Sequence, residues 1–208
     1  TDLARELEIM QRRLGFPYHM ISRSELHKEL ASAAYVGGAV IPDLGAIHPA
    51  LYHQGLMRAA QAAGVVVHTH TPVEAIKSSA KRFKLATPRG TLKARDLIIA
   101  TNGYTPRFLG WHAQRVVPFH GFMAATEEIS ASLMARLIPN RRTVIDSHVN
   151  INFIRPAPDS RKILFGGLTG GPAADLRGKG AELHAMIRTL LPDLEHTRLS
   201  RVWTGQCA

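Results

Sequence analysis

The chain has 208 residues, is 45% hydrophobic and 20% charged, and sets 26 Lys+Arg against 16 Asp+Glu for a formal charge of +10. This is a globular composition, long enough for one large domain or parts of two, and no apolar run reaches the ~18–20 residues needed to span a membrane. The basic residues are scattered and carry no nucleic-acid motif, so no nucleic-acid partner is expected. The single cysteine, Cys207, rules out an intrachain disulfide and suits a reducing, cytoplasmic setting.

Residues 2–14 place Leu3, Leu7, Met10 and Leu14 at helical spacing, and Gly15 and Pro17 end the run. Ser22 and Glu25 can form a capping box over a short helix to about Leu30. Tyr35 to Ile41 reads as a strand or turn. Pro49 to Ala63 reads as a helix, with Pro49 in the first turn, an apolar stripe through Leu51, Leu56 and Ala60, and Gly64 as its stop. Val65-Val66-Val67 is β-branched and predicts a strand directly after it.

Residues 73–95 predict two or three meandering strands around the turn Pro88-Arg89-Gly90. The densest basic stretch, Lys77 through Lys81, Arg82 and Lys84 to Arg95, falls on them and fits a solvated face. Leu97-Ile98-Ile99-Ala100 predicts a short strand buried on both sides. Val116–Thr126, Thr143–Asp146, Val149–Arg155 and Ile163–Phe165 read as strands of a mostly antiparallel sheet. In the third, Val149, Ile151 and Phe153 should share one face, and Asn150 and Asn152 the other. Leu183, Met186, Ile187, Leu190 and Leu191 mark a helix ended by Pro192, and a last strand covers about Thr197 to Thr204.

Few residues point to chemistry by themselves. The 11 histidines include no HExxH, and His68 and His70 share a strand face without a third ligand, so no metal is expected. No GxSxG elbow occurs, and Ser147-His148 is only an adjacent pair. The most informative stretch is Asp96 to Pro106, where an apolar strand runs into Thr101-Asn102-Gly103. Small residues at a strand's carboxyl end let a ligand approach the backbone, although an ordinary strand and turn fits equally well.

The order of segments resembles the D-amino acid oxidase-type family of FAD-dependent oxidoreductases, which includes glycine and sarcosine oxidases. The resemblance rests on Gly45-Ala46-Ile47-His48-Pro49, Ala62-Ala63-Gly64-Val65, Thr71-Pro72-Val73-Glu74, Ile98-Ile99-Ala100-Thr101-Asn102-Gly103-Tyr104-Thr105-Pro106, Phe153-Ile154-Arg155-Pro156, Phe165-Gly166-Gly167 and Trp203-Thr204-Gly205. Together they look most like the gamma-glutamylputrescine oxidase-like branch. The resemblance implies an α/β (α+β) fold: part of an FAD-binding Rossmann-type domain plus a mostly antiparallel substrate-domain sheet with helices. It divides the chain into substrate-side helices at 1–48, an incomplete FAD-binding portion at 49–110, the substrate sheet at 111–200, and a return to the FAD domain at 201–208.

The implied activity is oxidation of a C–N bond of a small amine or amino acid to an imine, with electrons passed from FAD to oxygen or another acceptor. By position, the backbone of Val73 would lie near the adenine of FAD, Thr101, Asn102 and Gly103 near its ribose and pyrophosphate, and Trp203 and Gly205 near the isoalloxazine. Core packing is an equal reading of Trp203. On the substrate side stand His48, Asn150, Asn152 and Arg155, with helix capping as the alternative for His48. No catalytic residue is assigned. The sequence departs from the family in having no GxGxxG, for which Gly166-Gly167 and Gly170-Gly171 do not substitute. Gln206, Cys207 and Ala208 stand where amino-acid oxidases place a carboxylate-binding arginine, which favours an amine. These departures lead to the expectation of an internal piece of a longer protein that by itself holds little flavin.

Overall fold

A computed structural model describes residues 2–79, 82–169 and 175–208. Lys81, Gly170 and Gly171 lie outside the described residues. The chain divides into two compact units: residues up to Ile47 with His120–Gly205, and His48–Phe119 with Gln206–Ala208.

In the first unit, helix α1 (Asp2–Leu14) buries Leu7 and is stopped by Gly15, whose positive φ of 73° suits glycine. Strands β1 (His19–Ser22) and β2 (Gly37–Val40) pair antiparallel. Between them the Ser22 hydroxyl donates to Glu25 at 2.9 Å. That bond closes only a single 3-10 turn, Leu26–Lys28, rather than a helix to Leu30.

The centre of this unit is a five-stranded sheet in the order β10-β6-β9-β8-β7. Its members are β6 (Phe119–Thr126), β7 (Val144–Ile145), β8 (Phe153–Pro156), β9 (Ile163–Thr169) and β10 (Leu199–Cys207). The pairs β6·β9, β9·β8 and β8·β7 are antiparallel. One face carries Phe122, Ala124, Ile154, Ile163 and Phe165 into a core closed by Leu137, Ile138, Leu183, Ile187 and Leu191. These come from helix α4 (Ala131–Leu137), helix α5 (Leu176–Leu190) and the segments that follow them. Both helices begin on side-chain caps, with Ser130 accepting from the Leu133 N–H and Asp175 from the Gly178 N–H.

The predicted strand Val149–Arg155 is corrected to β8 alone. Residues 146–152 form the connection between β7 and β8. Here the alternation pattern misleads, because Val149 is fully exposed and Ile151 partly exposed, while Asn152 is 4% exposed. The backbone turns at this point because the Asp146 carboxylate accepts from the backbone N–H groups of both His148 and Asn152.

In the second unit, helix α2 (Pro49–Ala62) starts at His48, whose Nδ1 accepts from the Leu51 N–H at 3.4 Å. Its apolar stripe faces no core among the described residues, and Leu51 and Leu56 are exposed. Strands β3 (Ala75–Ser79), β4 (Arg82–Thr87) and β5 (Gly90–Ala94) form the predicted antiparallel meander. The turn Pro88-Arg89 ends at Gly90, with φ 129°. The predicted strands at Val65–Val67 and Leu97–Ala100 are absent, and Ile98 is 88% exposed. A two-sided apolar strand needs pairing neighbours to fix it, and no described strand pairs with either segment.

Candidate functional site

The core-facing rows of the five-stranded sheet define an opposite, open face. Register places Met123, Gly166 and Phe153 in one row of that face, and Ala125, Leu164 and Arg155 in the next. They alternate with the buried row Ala124-Phe165-Ile154. On β10, Val202 packs against the core and lies 3.0 Å from where a Cβ on Gly180 of α5 would stand. Alternation therefore turns Trp203 and Gly205 away from α5, to the open face.

This face is smooth for a physical reason. A Cβ at Gly166 would collide with the Met123 sulfur, so glycine lets that side chain lie across the strand. Nothing lies within 4 Å of a Cβ position at Gly121 or Gly205. Arg155 donates from Nη1 to the Ile47 carbonyl at 2.9 Å, and its Nε is buried without a hydrogen-bond partner among the described residues.

Beside this sheet, the loop 146–152 holds a network absent from the sequence reading. Asp146 Oδ2 accepts from the Tyr35 hydroxyl at 2.9 Å, from Asn152 Nδ2 at 2.6 Å and pairs with His148 Nδ1 at 2.7 Å. Oδ1 accepts from the backbone N–H of Asn152 at 2.9 Å and of His148 at 3.1 Å. Burial alone would push the Asp146 carboxyl upward. Donation from the Asn152 backbone and amide, the Tyr35 hydroxyl and the His148 backbone outweighs it and holds the group down at about 2. Burial, then donation to this carboxylate and its charge, push the Tyr35 hydroxyl well above its ordinary range.

The side chain of Asn152 thus points to Asp146, and a Cβ at Gly167 would collide with its Oδ1. Asn152 and Arg155 do not share a face, and Asn150 is exposed in the loop. Tyr35 and Asp146 also line a cavity of about 620 Å³ in the first unit, whose apolar walls include Leu7, Ile21, Leu26 and Val40. That volume is in the range of small-molecule sites.

In the second unit, Thr101 precedes a 3-10 turn over Asn102–Tyr104. Asn102 has a left-handed φ of 45°, and its Oδ1 accepts from the Gly103 N–H at 2.6 Å. Gly103 is buried, and a Cβ there would stand 2.7 Å from the Cys207 carbonyl oxygen. The close approach read from this glycine is therefore made to the chain's own C-terminal segment. Gln206 fastens the same contact, donating from Nε2 to the Gly103 carbonyl at 2.9 Å. Thr101 and Asn102 are exposed, and Val73 is half-buried just ahead of β3. Thr101 and Asn102 are thus open to solvent, whereas the space beside Gly103 is filled.

Comparison with known proteins places this geometry in a family. All of residues 1–208 match the DAO family, described as FAD dependent oxidoreductase, and the chain belongs to it. Among curated relatives, it is 29% identical over 205 residues to the probable oxidoreductase OrdL of Rhizobium meliloti (strain 1021), covering 98% of this chain and 47% of that protein. It is 25% identical over 187 residues to the gamma-glutamylputrescine oxidoreductase of Escherichia coli (strain K12), covering 89% and 43%. The chain thus spans about half the length of the curated relatives it matches.

Among solved structures, the glycine oxidase from Geobacillus kaustophilus superposes with a TM-score of 0.79 at 23% identity, over 98% of this chain and 55% of that one. The resemblance to an FAD-dependent family and to its mixed α/β fold is confirmed. Among the described residues, no helix is long and apolar enough to cross a membrane.

Sequence reasoning missed Tyr35, Asp146 and His148 as a group. The spacing Asp-x-His with Asn six positions after the Asp was a faint local signal. Tyr35, 111 residues from Asp146, offered none.

Proposed function

We propose that the protein uses FAD to oxidise a C–N bond of a small amine or amino acid to an imine, which water then hydrolyses. Membership of an FAD-dependent oxidoreductase family across residues 1–208 carries this reading. FAD supplies the two-electron oxidation; the residues of this chain bind, orient and shield. The electron acceptor is oxygen or another oxidant, and the setting is cytoplasmic.

In this reading, residues 1–48 and 111–200 serve the substrate, and 49–110 with 201–208 serve FAD. The backbone of Val73 meets the adenine end. Thr101 and Asn102 meet the ribose and pyrophosphate, and Gly103 helps by seating Gln206 and Cys207 beneath them. Trp203 and Gly205 offer the isoalloxazine a flat ring and a site free of side chain on the open sheet face. Arg155 on that face and Asn150 in the loop contact substrate. Asn152 acts through Asp146, and His48 through the start of α2.

An amine of the γ-glutamyl polyamine kind is the favoured substrate class, in keeping with the E. coli relative's name. A flavin dehydrogenase or demethylase acting on N-methylated amino acids is the neighbouring reading. The test is a screen of the FAD-loaded protein against polyamines, γ-glutamyl amines, sarcosine and D-amino acids, following peroxide and dye reduction. Turnover of γ-glutamyl amines above the others supports the favoured class. Turnover confined to sarcosine-like substrates supports the neighbour, and dye reduction without peroxide identifies a dehydrogenase.

A further inference from the structure

Arg155 stands half-buried on the open face of the five-stranded sheet, in the row Ala125-Leu164-Arg155. Its neighbours by register are apolar: Leu164 and Ala125 in its own row, Phe153 and Met123 in the row beside it. A guanidinium offers a planar fork of N–H donors, has no acceptor, and stays charged at every pH of interest. One donor is spent, from Nη1 to the Ile47 carbonyl at 2.9 Å. Nε is shut off from water without a partner, and Nη2 has no acceptor among the described residues. No Asp or Glu lies within ion-pairing distance of this cation among the described residues.

A cation partly withdrawn from water among apolar side chains is normally paired. The Ile47 carbonyl aims the group but is a dipole, so the charge stays without a counter-ion. Holding one end of the fork pre-organises the rest of it, which suits a planar carboxylate. Position narrows the choice of carboxylate. Strand β10, with Trp203 and Gly205, is separated from β8 by β6 and β9. At ~4.8 Å per strand interval, the two backbones stand about 14 Å apart. In an α-amino acid or sarcosine the carboxylate lies within a few bonds of the oxidised carbon. It cannot reach Arg155 while that carbon lies beside β10. In a γ-glutamyl amine the carboxylate is roughly nine bonds away, about 11 Å in an extended chain at ~1.2 Å per bond. The length of the Arg155 side chain covers the remainder.

We propose that Arg155 is a specificity residue for a carboxylate remote from the oxidised carbon, as at the glutamyl end of a γ-glutamyl amine; this rests on the amine-oxidising reading above. The carboxylate accepts from Nη2 and from the second N–H of Nη1, while Ile47 keeps the guanidinium in place. The methylenes between carboxylate and amine lie across the side chains of Leu164 and Met123. Arg155 binds and orients; no bond forms or breaks at it.

The test compares γ-glutamylputrescine with γ-aminobutyrylputrescine, the same chain without the carboxylate. In the FAD-loaded protein, anaerobic flavin reduction at rising substrate concentration gives a Kd and a limiting rate for each. The wild type is expected to bind the carboxylate-bearing compound more tightly, by on the order of 10- to 100-fold. Arg155→Gln should erase most of that preference through Kd, and Arg155→Lys, which keeps the charge but not the fork, should fall between. A merely structural role, holding Ile47, would weaken both compounds alike and keep the preference. That result, or a wild type with no preference, overturns the inference while leaving amine oxidation standing. Should Arg155→Gln not fold, the wild-type comparison and Arg155→Lys, which can still donate to Ile47, decide the matter. Calorimetric binding of γ-glutamylbutylamide, which has the carboxylate but lacks the terminal amine, supplies a readout independent of turnover. Its Kd should rise by the same factor in Arg155→Gln, and an unchanged Kd would overturn the inference. If no amine or amino acid reduces the wild-type flavin, the functional reading fails, and the calorimetry still decides whether Arg155 holds a carboxylate.

Discussion

Replacing Asp146 by Asn tests the network at the edge of the sheet. The side chain is 4% exposed, so solvent screens it little, and it takes five donated hydrogen bonds. Its carboxyl is lowered from 3.8 to about 2 in the folded chain. At ~1.4 kcal/mol for each tenfold change in proton affinity, that is about 2 kcal/mol of stability from the ionised form. The folded value is the depressed one. The contribution is therefore complete above the unfolded value near 4 and is lost as pH falls towards 2. An amide in this place turns its own NH₂ toward donors, which costs about another 1–2 kcal/mol at neutral pH. Urea denaturation of both proteins at several pH values should show the variant weaker by about 2–4 kcal/mol at pH 7. The gap should shrink by about 2 kcal/mol between pH 5 and pH 2 as the wild type alone loses its charge. A gap that stays constant over that range, or lies below about 0.5 kcal/mol at neutral pH, would refute the reasoning.

Other perturbations probe separate parts of the account. Gly103→Ala drives a methyl to 2.7 Å from the Cys207 carbonyl oxygen; it should cost about 1–3 kcal/mol and raise hydrogen exchange at Gln206 and Cys207, whereas unchanged exchange would argue against this packing. Gly167→Ala displaces the Asn152 amide from Asp146; the Asp146 carboxyl should titrate nearer the ordinary range in a carbon-13 NMR titration.

Where interactions are local, the sequence was readable. The α1 and α5 periodicities and the β-meander with its Pro88-Arg89-Gly90 turn depend on neighbours within a few residues. The failures have two causes. Leu97–Ala100 and Val65–Val67 have strand composition, but composition does not supply partners, and no described strand pairs with them. In residues 149–155 the period-2 pattern was real, yet one buried carboxylate bent the backbone and reversed which residues are covered.

The candidate site was legible to a similar degree. Trp203, Gly205 and Arg155 come to one open face because strand alternation puts them there. Asn152 left that group because its partner is Asp146. The Tyr35–Asp146–His148 cluster depends on a contact across 111 residues, which no local pattern encodes. At Gly103 the sequence suggests that a ligand comes close to the backbone; in the structure the backbone of Cys207 fills that space.

The central claim, oxidation of a C–N bond by FAD, is tested most directly by mixing the FAD-loaded protein with single amines and amino acids without oxygen. The account predicts that at least one bleaches the visible flavin band and yields one carbonyl product, from imine hydrolysis, per flavin reduced. Bleaching by an alcohol or 2-hydroxy acid, with none by any amine or amino acid, would contradict it.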